Sequence, residues 1–295
     1  VILTITDTND CEHTDTNTVI VRPNPIASFI SNDTCVGFNT TLISTSISDP
    51  NYTTISGTIN SWDWDFGDSQ DSCCVEDTIQ HGYTTDGIYT VQLIVIDSYG
   101  CSDTITNPVI VNPGPIAVFS SDTVCEGDPT TFTDSSYIDS LGAAIATYAW
   151  EMGGAGTYST SPPTDSSSQH PIFLYDSAGI YTVILTVTDL NGCQGYDTNT
   201  IIVDTLPIAN FSATEVCHND ITVFTDSSIG TSATVNQWNW NMGGTGTYVP
   251  PTDSSSQHPQ YIYDSAGTYT VILTITDTND CEHTDTNTVI VRPNP

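Results

Sequence analysis

Lysine is missing from this sequence, and arginine occurs only at Arg22 and Arg292. Against them stand 35 acidic residues, for a net charge of −33 over 295 residues. Such a surface has nothing with which to release counterions from nucleic acid or to pair with anionic headgroups. Nucleic-acid binding and membrane insertion are therefore excluded. The absence of lysine also excludes Lys–Asn and Lys–Asp isopeptide cross-links, which leaves disulfides as the available covalent reinforcement. Long apolar runs are missing too, whether of membrane-spanning length or as a signal-type region. With no initiator Met, the sequence reads as an interior piece of something longer. No stretch has helical periodicity of useful length, and there is no nucleophile elbow, phosphate loop or HExxH motif.

What is present suits short strands. Thr, Ser, Asp and Asn are abundant, with 20 Gly and 16 Pro scattered among them. In "IYTVILTVTD", Tyr181, Val183, Leu185 and Val187 share one face. Thr182, Thr186 and Thr188 take the other, with Ile184 as the exception, so the stretch is a half-buried strand. A hydrophobic fraction of 37% permits small cores, and charged residues at 13% with this alternation argue against disorder. Nine cysteines at recurring places suit an oxidising, extracellular setting. The acidic surface is solubilising and attracts hard cations, Ca²⁺ above all.

Internal repeats set the organisation. "PIASF" (26–30), "PIAVF" (115–119) and "PIANF" (207–211) mark three starts. Each is followed by a cysteine (Cys35, Cys125, Cys217), an aromatic strand ("WDWDF", "YAWEM", "WNWNM"), a long alternating strand, and "YGC", "NGC" or "NDC". Repeats two and three share "PPTDSSSQHP" and "YDSAG", whereas repeat one carries "CCVEDTIQHGY" there. The first 25 letters recur at 271–295, an offset of 270 residues. We therefore expect a hairpin of a preceding repeat at 1–25 and domains at 26–113, 114–205 and 206–295. The fold class is all-β: tandem antiparallel sandwiches of about seven strands each.

The stretch W-x-W-D-F-G-D from Trp62 to Asp68 resembles the signature of PKD (polycystic-kidney-disease) domains. So does the pattern of His81, Tyr83, Gly87, Tyr89, Val91, Leu93, Val95 and Asp97. "WEMGG" and "WNMGG" depart from the first motif in repeats two and three, which otherwise keep the later pattern. The resemblance implies Ig-like sandwiches in an extended array and an extracellular spacer role. The cysteine positions and lysine-poor composition are also similar to giant PKD-repeat surface adhesins of Bacteroidota.

Several constellations carry candidate roles. Trp62, Trp64 and Phe66 lie at every second position, as do Tyr148, Trp150 and Met152, and Trp238, Trp240 and Met242. One face of large apolar groups is a sandwich core, so all five tryptophans are assigned to it and none to a sugar-stacking platform. Asp65, Asp68 and Asp71 follow a strand, and a turn could converge them on Ca²⁺; a solvated turn around Gly67 is the alternative. "TDSSSQH" at 164–170 and 252–258 holds Asp, Ser and His, but consecutive loop residues lack the convergence a triad needs. His81, His170 and His258 are read as structural. Asn32, Asn39, Asn51 and Asn210 head N-x-S/T sequons.

For the cysteines, strand direction matters. In an Ig-like sandwich the first loop lies at the far end of the domain and the last hairpin at the near end. A six-residue strand already spans ~20 Å, and a disulfide tolerates at most ~7 Å between Cα atoms. The short links "VNPGPIA" and "VDTLPIA" make neighbouring domains abut. This points to staples between domains, Cys35–Cys193 and Cys125–Cys281. Cys11 and Cys101 would then pair upstream and Cys217 downstream, all three unpaired within the chain. The pairing within domains, Cys35–Cys101, Cys125–Cys193 and Cys217–Cys281, stays open, since a bent first strand could permit it. Cys73 and Cys74 are open among a vicinal disulfide, a cross-link to another strand or glycan-bearing partner, and free thiols.

The function expected is non-catalytic. It is a structural segment of a long extracellular fibre or adhesin stalk at the cell surface, giving reach and mechanical strength. Its partners would be neighbouring repeats of the same polypeptide and other fibre strands, with surface glycans as further candidates. No cofactor is required, and Ca²⁺ is the one candidate. A calcium-dependent glycan- or surface-binding array and an accessory region of a secreted enzyme remain as alternatives.

Overall fold

The computed structural model describes residues 1–73, 76–139 and 142–295, with the backbone alone for 71–73. Among the described residues the chain is nearly all β, with one short 3₁₀ turn at Pro50–Tyr52 capped by Asp49. It forms two compact units. One comprises Val1–Pro115, Ile138–Ala144 and Asp189–Cys193; the other comprises Ile116–Tyr137, Ile145–Thr188 and Gln194–Pro295. Two loops of the second repeat thus belong to the unit that holds the first.

Each repeat is a two-sheet sandwich. In the third, Phe211–Ala213, Thr222–Asp226, Gln260–Tyr263 and Gly246–Tyr248 make one sheet. Val216–Cys217, Glu282–Arg292, Gly267–Asp277 and Val235–Asn241 make the other. The second repeat has the same plan. The first differs at one strand: Asp71–Cys73 pairs with Ile59–Asp65, giving sheets of five and three strands, whereas Gly156–Tyr158 and Gly246–Tyr248 pair with Ile172–Tyr175 and Gln260–Tyr263 in the opposite sheet, giving four and four. Glycine explains the switch. A Cβ on Gly156 or Gly246 would run into the carbonyl of Leu174 or Ile262, and the first repeat has no glycine between Gly67 and Gly82.

The long alternating strands put their odd positions inside. Val91, Leu93 and Val95 are fully buried, as are Val183, Leu185 and Val187, and Val271, Leu273 and Ile275. Trp64, Trp150 and Trp240 are buried against Phe29, Phe119 and Phe211 in edge-to-face pairs at 5.2, 5.0 and 5.0 Å. Trp62 and Trp238 are half-buried at the core margin. The period-two pattern assigns their face and not their depth, and each indole N–H turns to a polar neighbour, Ser44 Oγ or Asp226 Oδ2.

The duplicated 25 letters take two forms. At 271–295 they belong to the eleven-residue strands Gly267–Asp277 and Glu282–Arg292, with Val289 and Val291 buried. At 1–25 they make only the five-residue strands Ile2–Thr6 and Glu12–Thr16, and Val19 and Val21 are exposed. Without a facing sheet there is no burial to extend the pairing, so context sets strand length.

Candidate functional site

The candidate sites lie at the ends of the repeats. In each repeat a two-residue strand pairs in parallel with the end of the last strand, so that Cys35 faces Asn112, Cys125 faces Asp204 and Cys217 faces Arg292. At the opposite end of that last strand, a hairpin carries the other cysteine. There a buried aspartate organises the turn: Asp97, Asp189 and Asp277 each accept the amide N–H groups of the residues two and four positions on. The fourth position is Cys101, Cys193 or Cys281. The signal was in the sequence, since all four copies read D-x-x-x-C.

Eleven-residue strands therefore separate the first-loop and hairpin cysteines of one repeat, ~35 Å at strand rise, and these two are not bonded to each other in any of the three repeats. Instead Cys35 is bonded to Cys193, with Cα atoms 5.5 Å apart, and Cys125 to Cys281, at 5.6 Å. The two bonds interlace along the sequence. The hairpin cysteines Cys193 and Cys281 are fully buried, while Cys101 is half-buried and remains a thiol with Cys11 and Cys217. The side chain of Cys73 and all of Cys74 lie outside the described residues.

Polar contacts flank the staples. Asn191 Nδ2 donates to Asn112 Oδ1 at 3.0 Å, and Asn112 Nδ2 to the carbonyl of Thr34 at 3.3 Å. At the link into the third repeat, Thr231 Oγ1 donates to the Leu206 carbonyl at 2.8 Å and Ser232 Oγ to that of Thr205 at 3.2 Å. Arg22 Nη1 donates to the Ile55 carbonyl at 2.7 Å, and its guanidinium lies 3.5 Å from the Tyr99 ring centre. None of these contacts was predicted from sequence, because each depends on which loops meet.

The sequence pattern of the PKD domain matches residues 22–111, 112–203 and 204–291. The chain belongs to the PKD domain family. It is similar to the PKD1 domain of Vibrio anguillarum Epp at 30% identity, over 31% of this chain and 96% of that one, with a TM-score of 0.26. It is similar to the PKD1 domain of the Vibrio cholerae metalloprotease PrtV at 32% identity, over 30% and 98%, with a TM-score of 0.25. The three N-terminal domains of the bacteriophage RB49 highly immunogenic outer capsid protein match at 11% identity, over 92% and 100%, with a TM-score of 0.40.

The other candidate sites can now be placed on the PKD domains. Asp65 Oδ1 accepts from Gly67 N at 2.8 Å and Asp68 Oδ1 from Gln70 N at 3.1 Å. Asp68 Oδ2 lies 2.8 Å from His81 Nε2, and the His81 ring stacks on Phe66. The side chain of Asp71 lies outside the described residues. Among the described residues no group of three or more His, Cys, Asp and Glu side chains could hold a metal ion.

The "TDSSSQH" loops are built for structure. Asp165 Oδ1 takes the N–H and hydroxyl of Ser167, and these bonds hold its carboxyl below the usual range; Asp253 behaves alike with Ser255. The carbonyls of Ser168 and Ser256 cap the indole N–H groups of Trp150 and Trp240. His170 and His258 accept the backbone N–H of Asp134 and Asp226 through Nδ1. The aspartate thus holds serines, and the histidine is engaged elsewhere. The PKD domain is typically non-catalytic, and no helix among the described residues is long and apolar enough to cross a membrane.

Proposed function

We propose that this chain is a load-bearing segment of a long extracellular repeat fibre or adhesin stalk. The observation that supports this best is the pair of disulfides that tie one PKD domain to the next, Cys35–Cys193 and Cys125–Cys281. Disulfides of this kind persist in oxidising compartments. Each closes a loop worth nominally ~5 kcal/mol in the chain-entropy model. Because they interlace, a pull from both ends reaches residue 281 from residue 35 through the stretch 125–193 alone. The net charge of −33 with no lysine keeps neighbouring strands apart at short range.

The test is single-molecule extension of the oxidised and the reduced chain. At about 3.5 Å per residue, the oxidised chain should yield ~600 Å less contour length. Equal lengths in the two states would remove the mechanical reading.

A second reading, a glycan-binding array, draws on one cleft of about 460 Å³ in the third repeat, where half-buried Trp238 stands beside Asp226 and Gln257. An aromatic face with a carboxylate and an amide suits a sugar ring. Retardation in polysaccharide-containing gels, with and without Ca²⁺ chelation, tests it; equal mobility of the chain and Trp238→Ala in every gel rules it out.

A further inference from the structure

The two arginines of the sequence occupy one position of the 270-residue repeat. Arg292 ends the last strand of the third repeat and faces Cys217. Arg22 is its twin in the duplicated 25 letters. Yet the two differ in their contacts. The Arg292 side chain makes an exposed ion pair with Glu215, whereas Arg22 is half-buried on Tyr99 with a hydrogen bond to the Ile55 carbonyl.

Tyr99 stands two residues before Cys101, where the other repeats have Asn191 and Asn279. At the junction completed by Cys35–Cys193, the residue facing the first cysteine, Asn112, bonds to the residue two before the second, Asn191. Arg22 and Tyr99 occupy those same two positions. An Arg–Tyr pair thus falls only where a third repeat's ending meets a first repeat's beginning. Cys217 and Cys101 are the thiols beside it, and they are free.

We propose that the end of one copy of this sequence docks on the beginning of the next, with Arg292 on Tyr99 and a disulfide from Cys217 to Cys101. This rests on the fibre reading and adds the junction that orders its periods. The contacts would be those Arg22 already makes: the guanidinium over the phenol ring and a donor to the Ile55 carbonyl. The cation–π contact aligns the partners, and the disulfide locks them. For the covalent step, the Cys217 thiolate attacks a small disulfide such as oxidised glutathione and releases one small thiol. The Cys101 thiolate then attacks the Cys217 sulfur of the mixed disulfide and releases the second. Two protein thiols lose two electrons and two protons, and the small disulfide becomes two thiols. Asn–Asn at one junction and Arg–Tyr at another would keep the three domains in register.

The test is a polypeptide in which residues 1–295 run on into a second copy of residues 26–295, reduced, reoxidised with glutathione and mapped without reduction. The expected result is a peptide joining Cys217 of the first copy to Cys101 of the second, beside Cys35–Cys193 and Cys125–Cys281 in both. Arg292→Ala in the first copy, or Tyr99→Asn in the second, should slow that bond by roughly fivefold and leave the other staples unaffected. If those staples form while Cys217 and the second Cys101 stay reduced, this inference fails and the fibre reading stands. If all pairs form within repeats, both fail. Closure at a rate indifferent to Arg292 and Tyr99 overturns the clasp.

Discussion

Asp277 Oδ1 accepts the amide N–H of Cys281 at 3.0 Å and that of Asn279 at 2.9 Å, while its Oδ2 is buried with no partner among the described residues. One carboxylate oxygen therefore shapes the turn that presents a staple cysteine. Asp277→Ala leaves the buried Cys281 N–H, and the part-buried Asn279 N–H, without their acceptor and should cost ~2–3 kcal/mol. Asp277→Asn keeps the acceptor and exchanges one unpaired polar group for another, so its loss should fall between wild type and alanine. Urea unfolding of the oxidised chain measures both. Equal losses would mean that the acceptor does not hold the turn.

The partnerless oxygen has a cause. In the first repeat Gly57 N–H donates to Asp97 Oδ2 at 3.2 Å, and a Cβ on Gly57 would overlap that carboxylate. The following residue, Thr58, accepts from Ser98 as Thr234 accepts from Thr278, so Ala233 is the counterpart of Gly57. Gly57→Ala should then destabilise by ~1–3 kcal/mol through an orphaned buried carboxylate oxygen. Ala233→Gly should be near neutral, a new hydrogen bond to Asp277 offsetting glycine's entropy. Thermal midpoints decide it; equal losses in the two variants would refute the comparison.

How far the sequence could be read follows from these contacts. Strand faces were legible because period two fixes them, and the repeat starts because "PIA" returns. The row Trp62, Trp64, Phe66 gave the buried face, but Trp62 lies at the sandwich margin, where alternation carries no depth information. Strand direction pointed to staples between domains but left the pairing within domains open; in the structure Cys35 faces Asn112 while Cys101 precedes Ser102 at the other end of the same strand. The Arg22–Tyr99 and Asn112–Asn191 contacts were invisible because they join loops about 80 residues apart with no local periodicity. The changed pairing of Asp71–Cys73 showed in the sequence only as divergence.

The core tryptophans differ in a way that mutation can expose. Trp240 Nε1 donates to the Ser256 carbonyl at 2.9 Å, whereas Trp64 Nε1 is buried without a partner among the described residues. Both are buried. Phenylalanine at either site leaves a similar void, but at 240 it also strands a carbonyl and frees the "TDSSS" loop. Trp240→Phe should therefore exceed Trp64→Phe by ~1 kcal/mol. Denaturant midpoints of the two variants measure the difference, and an equal or reversed order would show that the indole bond contributes nothing.

Alkali should unfold this chain through three equivalent phenols. Tyr83, Tyr175 and Tyr263 are buried, and each donates to a backbone carbonyl, of Phe66, Met152 and Met242. Burial first, then neighbouring tyrosines and, for Tyr83, Asp68, pushes each pKa well up. Tyr248 is pushed up to about 12 by burial, with Tyr261 and Asp253 adding to it. The unfolded chain ionises its tyrosines near pH 10. A raised folded value means that this stabilisation is full below about pH 10 and drains away as pH climbs towards the folded values. Unfolding free energy should thus hold to about pH 9 and then fall, with tyrosinate absorbance rising as circular dichroism is lost. Tyr263→Phe removes one of the three groups, so its free-energy curve should start lower and fall less steeply. Ionisation of every tyrosine near pH 10 with the fold intact would refute the assignment.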